Sequence, residues 1–192
     1  MGPIEQNQNV VMEARPLRRQ VCVLPPLYSL RAFASRDLGA WTAIQAAADR
    51  YNVITTSLFE AAFGVDPSAH RDRIFIACDE DGAAVGTAAA WFGEGENRAA
   101  GRVHWVAVLP EHQGRGLGRA LVCHSVNRLI ELGHTDAYLT TSAARLAALH
   151  LYDACGFRAR IESREDRAAW GAIARVLAER GRPLTSANVK EV

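Results

Sequence analysis

The stretch "VAVLPEHQGRGLGRAL", residues 106 to 121, constrains this chain more than any other. An apolar, strand-like run meets Pro110, and glycines stand at 114, 116 and 118. An apolar stripe of helical spacing follows: Leu117, Leu121, Val122, Val126, Leu129 and Ile130, with Gly133 placed as a C-terminal cap. The first turn of a helix carries partial positive charge on its free N–H groups, so acids are usual there, each worth roughly 0.3–1 kcal/mol. Arg115 and Arg119 break that preference. An external anion lying against the turn would compensate, and glycines let backbone N–H groups reach it without a Cβ in the way. There is no Gly-Lys-Ser/Thr, which excludes a Walker A loop. Gly114-x-Gly116-x-x-Arg119 lacks the third glycine of a dinucleotide fingerprint. What remains is Q-x-x-G-x-G on Gln113, Gly116 and Gly118.

Around this turn the pattern predicts one α/β domain over 27–182, between a flexible leader over 1–26 and a frayed tail over 183–192. Strands are expected at 27–33, 74–78, 85–92, 102–109, 136–141 and 157–161, and helices near 37–49, after Ser57, over 115–132 and over 144–155. Ser57 with Glu60 has the form of a capping box, closed by Gly64 and Pro67. Ser163 with Asp166 is another, opening a C-terminal helix that carries Trp170, Ile173, Ala174 and Leu177 on one face. Strand, helix and strand over 102–141 imply a parallel crossover.

The bulk numbers exclude several classes. In 192 residues, 22% are charged and the formal net charge is +1, so nothing general favours nucleic acid or an acidic membrane surface. Cys22, Cys78, Cys123 and Cys155 are scattered, which suggests neither a zinc site nor a disulfide framework. No apolar run approaches the roughly 18 residues of a membrane span, and no signal-peptide core or myristoylation signal is read, so a soluble cytoplasmic chain is expected.

Together, "VAV", the Q-x-x-G-x-G turn and the later "LHLYDACGF" resemble the GCN5-related N-acetyltransferase superfamily. The resemblance is strong from about 102 to 157, topological from 27 to 92, and absent beyond 162. It implies an α/β fold with a mixed, mostly antiparallel sheet, a parallel strand 4/strand 5 crossover and helices on both faces, here with an extra C-terminal helix. It also implies acetyl-CoA as co-substrate, no metal, a small-molecule amine as acceptor and direct attack in a ternary complex. No nucleic-acid or membrane partner is expected, and a homodimer is allowed. The alternatives are a protein or peptide N-acetyltransferase and a non-catalytic acyl-CoA-binding module.

By the same resemblance, the backbone of Val106, Ala107 and Val108 pairs with the pantetheine arm and offers an N–H to the thioester oxygen. Gln113, Gly114, Arg115, Gly116, Leu117, Gly118 and Arg119 hold the pyrophosphate. Tyr152 falls at the "LY" tyrosine, which donates to the departing thiolate. His104 matches a histidine that resembles the base of arylalkylamine N-acetyltransferases, and a base tuned near pKa 7 would suit an amine. His112, Glu111 and Glu60 are weaker candidates. Two positions depart from the family's pattern: Arg145 stands where many relatives have an asparagine along the pantetheine arm, and Thr140 where many have a carboxylate. Trp41, Tyr51, Phe59, Phe63 and Trp91 either line an acceptor pocket or pack in the core, the latter being the default.

Overall fold

In the computed structural model, residues 1–185 are described. The elements are β1 (Asn9–Ala14), β2 (Ser29–Ala32), α1 (Leu38–Ala48), α2 (Thr56–Phe63), α3 (Pro67–Arg73), β3 (Ile74–Cys78), β4 (Ala84–Phe92), β5 (Gly101–Val108), α4 (Leu117–Glu131), β6 (Ala137–Ser142), α5 (Leu146–Ala154), β7 (Arg158–Ala159) and α6 (Arg164–Glu179). They form two compact units. One holds Met1–Arg18, Gly93–Gly101 and the chain from His134 onward; the other holds Arg19–Phe92 and Arg102–Gly133.

In the second unit the strands follow the order β2-β3-β4-β5. β3 is antiparallel to β2 and to β4, and the Leu109 N–H donates to the Val85 carbonyl at 2.9 Å, which sets the end of β5 against the start of β4. The two-residue period of β3 then sorts the layers. Ile74, Ile76 and Cys78 join Trp41 of α1 and the α2 phenylalanines Phe59 and Phe63 on one face. Ala77 joins Leu117 and Leu121 of α4 on the other. Helices therefore cover both faces, as expected.

Two local expectations in this unit are corrected. The cap of α2 is Thr55, whose Oγ1 accepts the Leu58 N–H at 3.2 Å, so Ser57 lies inside the first turn rather than at the cap. Pro67 does not merely end α2. It opens α3 at the first helical position, where its missing N–H costs nothing, behind Asp66, whose Oδ1 accepts the Ser68 N–H at 2.9 Å.

In the first unit β1 is the middle strand of β6-β1-β7, antiparallel to both, running Asn9↔Ser142 to Ala14↔Ala137 and Met12↔Ala159. This overturns the flexible leader for residues 9–14. Val10, Met12 and Ala14 alternate into the core, and Met12 is fully buried. A strand that the sequence reading did not place thus comes from residues 9–14. Helix α6 packs on β1 and α5 through Trp170, Ile173 and Leu177, and begins at the expected Ser163–Asp166 capping box. Most of the expected frayed tail, 186–192, lies outside the described residues; Thr185 donates from its N–H and its hydroxyl to Asp153 Oδ2, at 2.7 and 2.6 Å.

Candidate active site

β5 leads through a single turn at Pro110–His112 into the glycine segment. The Gln113 Nε2 donates back to the Val108 carbonyl at 2.9 Å, so this side chain fastens the turn to the strand. Gly114 and Gly116 sit at φ 73° and 88°, in the left-handed region that a Cβ disfavours. Gly116 is the N-cap of α4, and the first helical bond runs from the Ala120 N–H to the Gly116 carbonyl at 3.1 Å. The N–H groups of Leu117, Gly118 and Arg119 precede it. No side chain caps this end and no acid stands in its first turn. A 15-residue helix is thus left with its positive pole uncompensated, a fit for a diphosphate.

The chain before β2 frames this turn. The Arg115 guanidinium donates to the Glu111 carbonyl at 3.0 Å and to the Tyr28 hydroxyl at 3.2 Å, and the same hydroxyl bonds His112 Nδ1 at 2.9 Å. Val21, Val23 and Pro25 face Arg115, Gly116 and Arg119 across a groove of about 410 Å³. Arg115 is thereby set, while Arg119 stands exposed beside the helix terminus.

Within β5 the two-residue alternation of burial fails at 104–106, and Trp105 has φ 46°. Such a value is unusual for a bulky residue inside a strand. Ala107 and Val108 are buried, and Val106 is half-buried against the cluster that includes Val108 and Leu117. His104 lies edge-on to Phe63, with ring centroids 5.5 Å apart, and beside Trp105. Burial, with a smaller push from Arg102, holds its pKa down to about 3. The imidazole is neutral at ordinary pH and far from the base near 7 that the sequence suggests.

The other candidates lie in the first unit, on α5. Arg145 is the N-cap residue, with its carbonyl accepting the Leu149 N–H at 3.0 Å. Tyr152 is buried, edge-on to Phe157 at 6.4 Å between centroids. Burial pushes its phenol up to about 12, and the Arg145 charge pulls the other way. Gly156, at φ 90°, ends this helix, and the Phe157 N–H returns to the Tyr152 carbonyl at 3.0 Å.

The structure therefore joins Val106, Ala107, Val108 and His104 with Gln113–Arg119 in one unit, and Arg145 with Tyr152 in the other. Glu60 and Glu111 are exposed, and so is Thr140. Trp41, Phe59, Phe63 and Trp91 pack in the core, whereas Tyr51 is exposed. Sequence reasoning missed Tyr28, whose hydroxyl joins Arg115 to His112 and which nothing in the strand pattern around it singles out. Among the described residues no group of three or more His, Cys, Asp or Glu could hold a metal ion, and no helix is long and apolar enough to cross a membrane.

Comparison with known proteins places the chain in a family. Residues 40–157 match the family described as "Acetyltransferase (GNAT) family". A mycothiol acetyltransferase of Streptomyces griseus is 32% identical over 156 residues, 76% of this chain and 50% of the relative. Another, from an Arthrobacter species, is 31% identical over 168 residues, 81% of this chain and 50% of the relative. The chain thus spans about half the length of these curated relatives. Among solved structures, a GCN5-related N-acetyltransferase from Sphaerobacter thermophilus superposes with a TM-score of 0.66 at 20% identity, covering 79% of this chain and 48% of that one. The ribosomal-protein-S18-alanine N-acetyltransferase of Escherichia coli does so with a TM-score of 0.58 at 23% identity, covering 70% and 79%. These two likenesses bear on the fold alone. With its uncapped glycine turn after β5 and a family match over most of its length, the chain belongs to the GNAT family of acetyltransferases, with their α/β fold.

Proposed function

We propose that this protein transfers acetyl from acetyl-CoA to the amine of a small molecule, by direct attack in a ternary complex. The observation that carries the reading is the N-terminus of α4: left-handed glycines, no cap, no acid, and arginines at 115 and 119. Relatives named as mycothiol acetyltransferases support a small-molecule acceptor over a protein one.

In this reading the amine nitrogen bonds the acetyl carbon, the C–S bond breaks, and the sulfur leaves with the electron pair. The Val106 N–H donates to the thioester oxygen as it gains charge. The Tyr152 hydroxyl donates a hydrogen bond to the departing sulfur. With its pKa at about 12 against about 8.5 for a thiol, full proton transfer would be uphill by roughly 5 kcal/mol, so the bond itself is the contribution. His104, at about 3, is too weak a base to take the amine proton, which goes to solvent.

Calorimetry with acetyl-CoA, followed by thiol release with a panel of arylalkylamines, amino sugars and short peptides, tests the assignment. Saturable binding and release that needs a small amine are expected. Absence of binding would overturn it, and release with peptides alone would move the acceptor to protein.

A further inference from the structure

Three described non-glycine residues have positive φ, and of these only Trp105 lies inside a strand. A bulky side chain does not hold that conformation unaided, so its surroundings must. The Trp105 indole packs edge-on against Trp41 of α1, with ring centroids 5.4 Å apart, whereas the groups around its carbonyl are polar and buried. Gln45 of α1 and Thr87 of β4 are 3% and 0% exposed. The Gln45 Nε2 donates to the Trp105 carbonyl and to Thr87 Oγ1, both at 2.8 Å, and the Thr87 hydroxyl donates to the same carbonyl at 3.1 Å. The donors are fully assigned: two N–H on the amide, one proton on the hydroxyl, and a carbonyl with two lone pairs to receive two of the three bonds. Nothing in the packing of α1 alone requires a glutamine there, because its neighbour Ile44 and the nearby Trp41 are core residues.

The consequence follows from the planarity of one peptide group. The Trp105 carbonyl and the Val106 N–H belong to the same trans unit and point in opposite directions. With the oxygen drawn toward α1 and Thr87, the N–H is aimed away from both. Two donors on the oxygen also polarise the unit and strengthen that N–H as a donor. We propose that Gln45 and Thr87 are positioning residues for acetyl transfer, a buried clamp that fixes the Trp105–Val106 peptide so that the Val106 N–H meets the thioester oxygen. This rests on the acetyl-transfer reading given above.

The test uses Gln45→Met and Thr87→Val, singly and together, since both keep shape and remove donors. The double variant should lower kcat by roughly 10²-fold at saturating acetyl-CoA, while the Kd for coenzyme A, which has no acetyl oxygen, changes by less than about threefold. Thr87→Val alone should lower kcat by about three- to tenfold with the same split, and it carries the test if Gln45→Met does not fold. The Val106 amide proton should move upfield in the NMR spectrum of either variant. Gln45→Glu, which regains a donor only when protonated, should show a ratio of variant to native kcat that climbs as pH falls. Folded variants with native kcat, or with kcat and coenzyme A affinity lost in equal proportion, would overturn the clamp alone. A native protein that neither binds coenzyme A nor releases thiol would sink the acetyl-transfer reading and the clamp with it.

Discussion

Tyr152 is held where a phenol is hardest to ionise, and that limits what it can do. A hydrogen bond to a developing thiolate strengthens as charge builds on sulfur, so its loss should appear in the chemical step rather than in binding. Tyr152→Phe is expected to lower kcat by roughly 10²-fold with little change in acetyl-CoA affinity; equal turnover in steady-state assays would remove the hydroxyl from the reaction. Gly116 makes the complementary case. A Cβ there would meet only Pro25 Cγ, at 3.7 Å, so space is not what requires glycine. The requirement is φ 88°, together with the approach of an anion to the N–H groups that follow. Gly116→Ala should therefore weaken coenzyme A binding by at least about tenfold, read by calorimetry, while thermal unfolding shifts by only a few degrees.

Among the elements, α6 gives the cleanest stability test, because its reciprocal cap is exposed and remote from chemistry. Ser163 Oγ accepts the Asp166 N–H at 3.0 Å and the Asp166 carboxylate accepts the Ser163 N–H at 2.9 Å. Ser163→Ala should cost about 1 kcal/mol and lower Tm by roughly 2–4 °C in a scanning calorimeter, with acetyl transfer unchanged. That cap was legible in the sequence, as was α4, since each couples a terminal signal to a sustained apolar stripe. The misses share a different cause. In α3, "PSAHRDR" has no stripe, and the helix rests on Asp66, Pro67 and the burial of His70. In β1 the alternation of Val10, Met12 and Ala14 is three residues deep, too short to stand out from the polar sequence around it. The left-handed φ at Trp105 is invisible locally because tryptophan does not favour it; the groups that bond its carbonyl sit on α1 and β4, some 60 and 18 residues away in sequence. The depressed His104 likewise owes its burial in part to Phe63, a residue of α2.

For the molecule as a whole, half-buried neutral histidines make stability depend on pH in a direction that can be worked out. His104 titrates at about 3 when folded and at an ordinary 6.5 when unfolded. Between those values the unfolded chain binds more protons, so unfolding free energy rises with pH; the contribution is complete above 6.5 and is lost as pH falls toward 3. His124, lowered mainly by its burial, acts with the same sign. Asp37, whose carboxylate is held below its usual range first by the Arg31 guanidinium, also loses its contribution in acid, but only below its unfolded value of 3.8. A comparison between about pH 7 and about pH 4.5 therefore reports on the histidines and leaves Asp37 nearly silent. At about 1.36 kcal/mol per unit, His104 can account for no more than about 2–3 kcal/mol over that interval. Urea unfolding of the native protein and of His104→Gln at the two pH values should show a smaller acid loss in the variant, with the His124 share common to both. Equal losses would mean that the imidazole is hydrated rather than packed beside Phe63, and a base role for His104 would then regain its footing, since a hydrated imidazole titrates near neutrality.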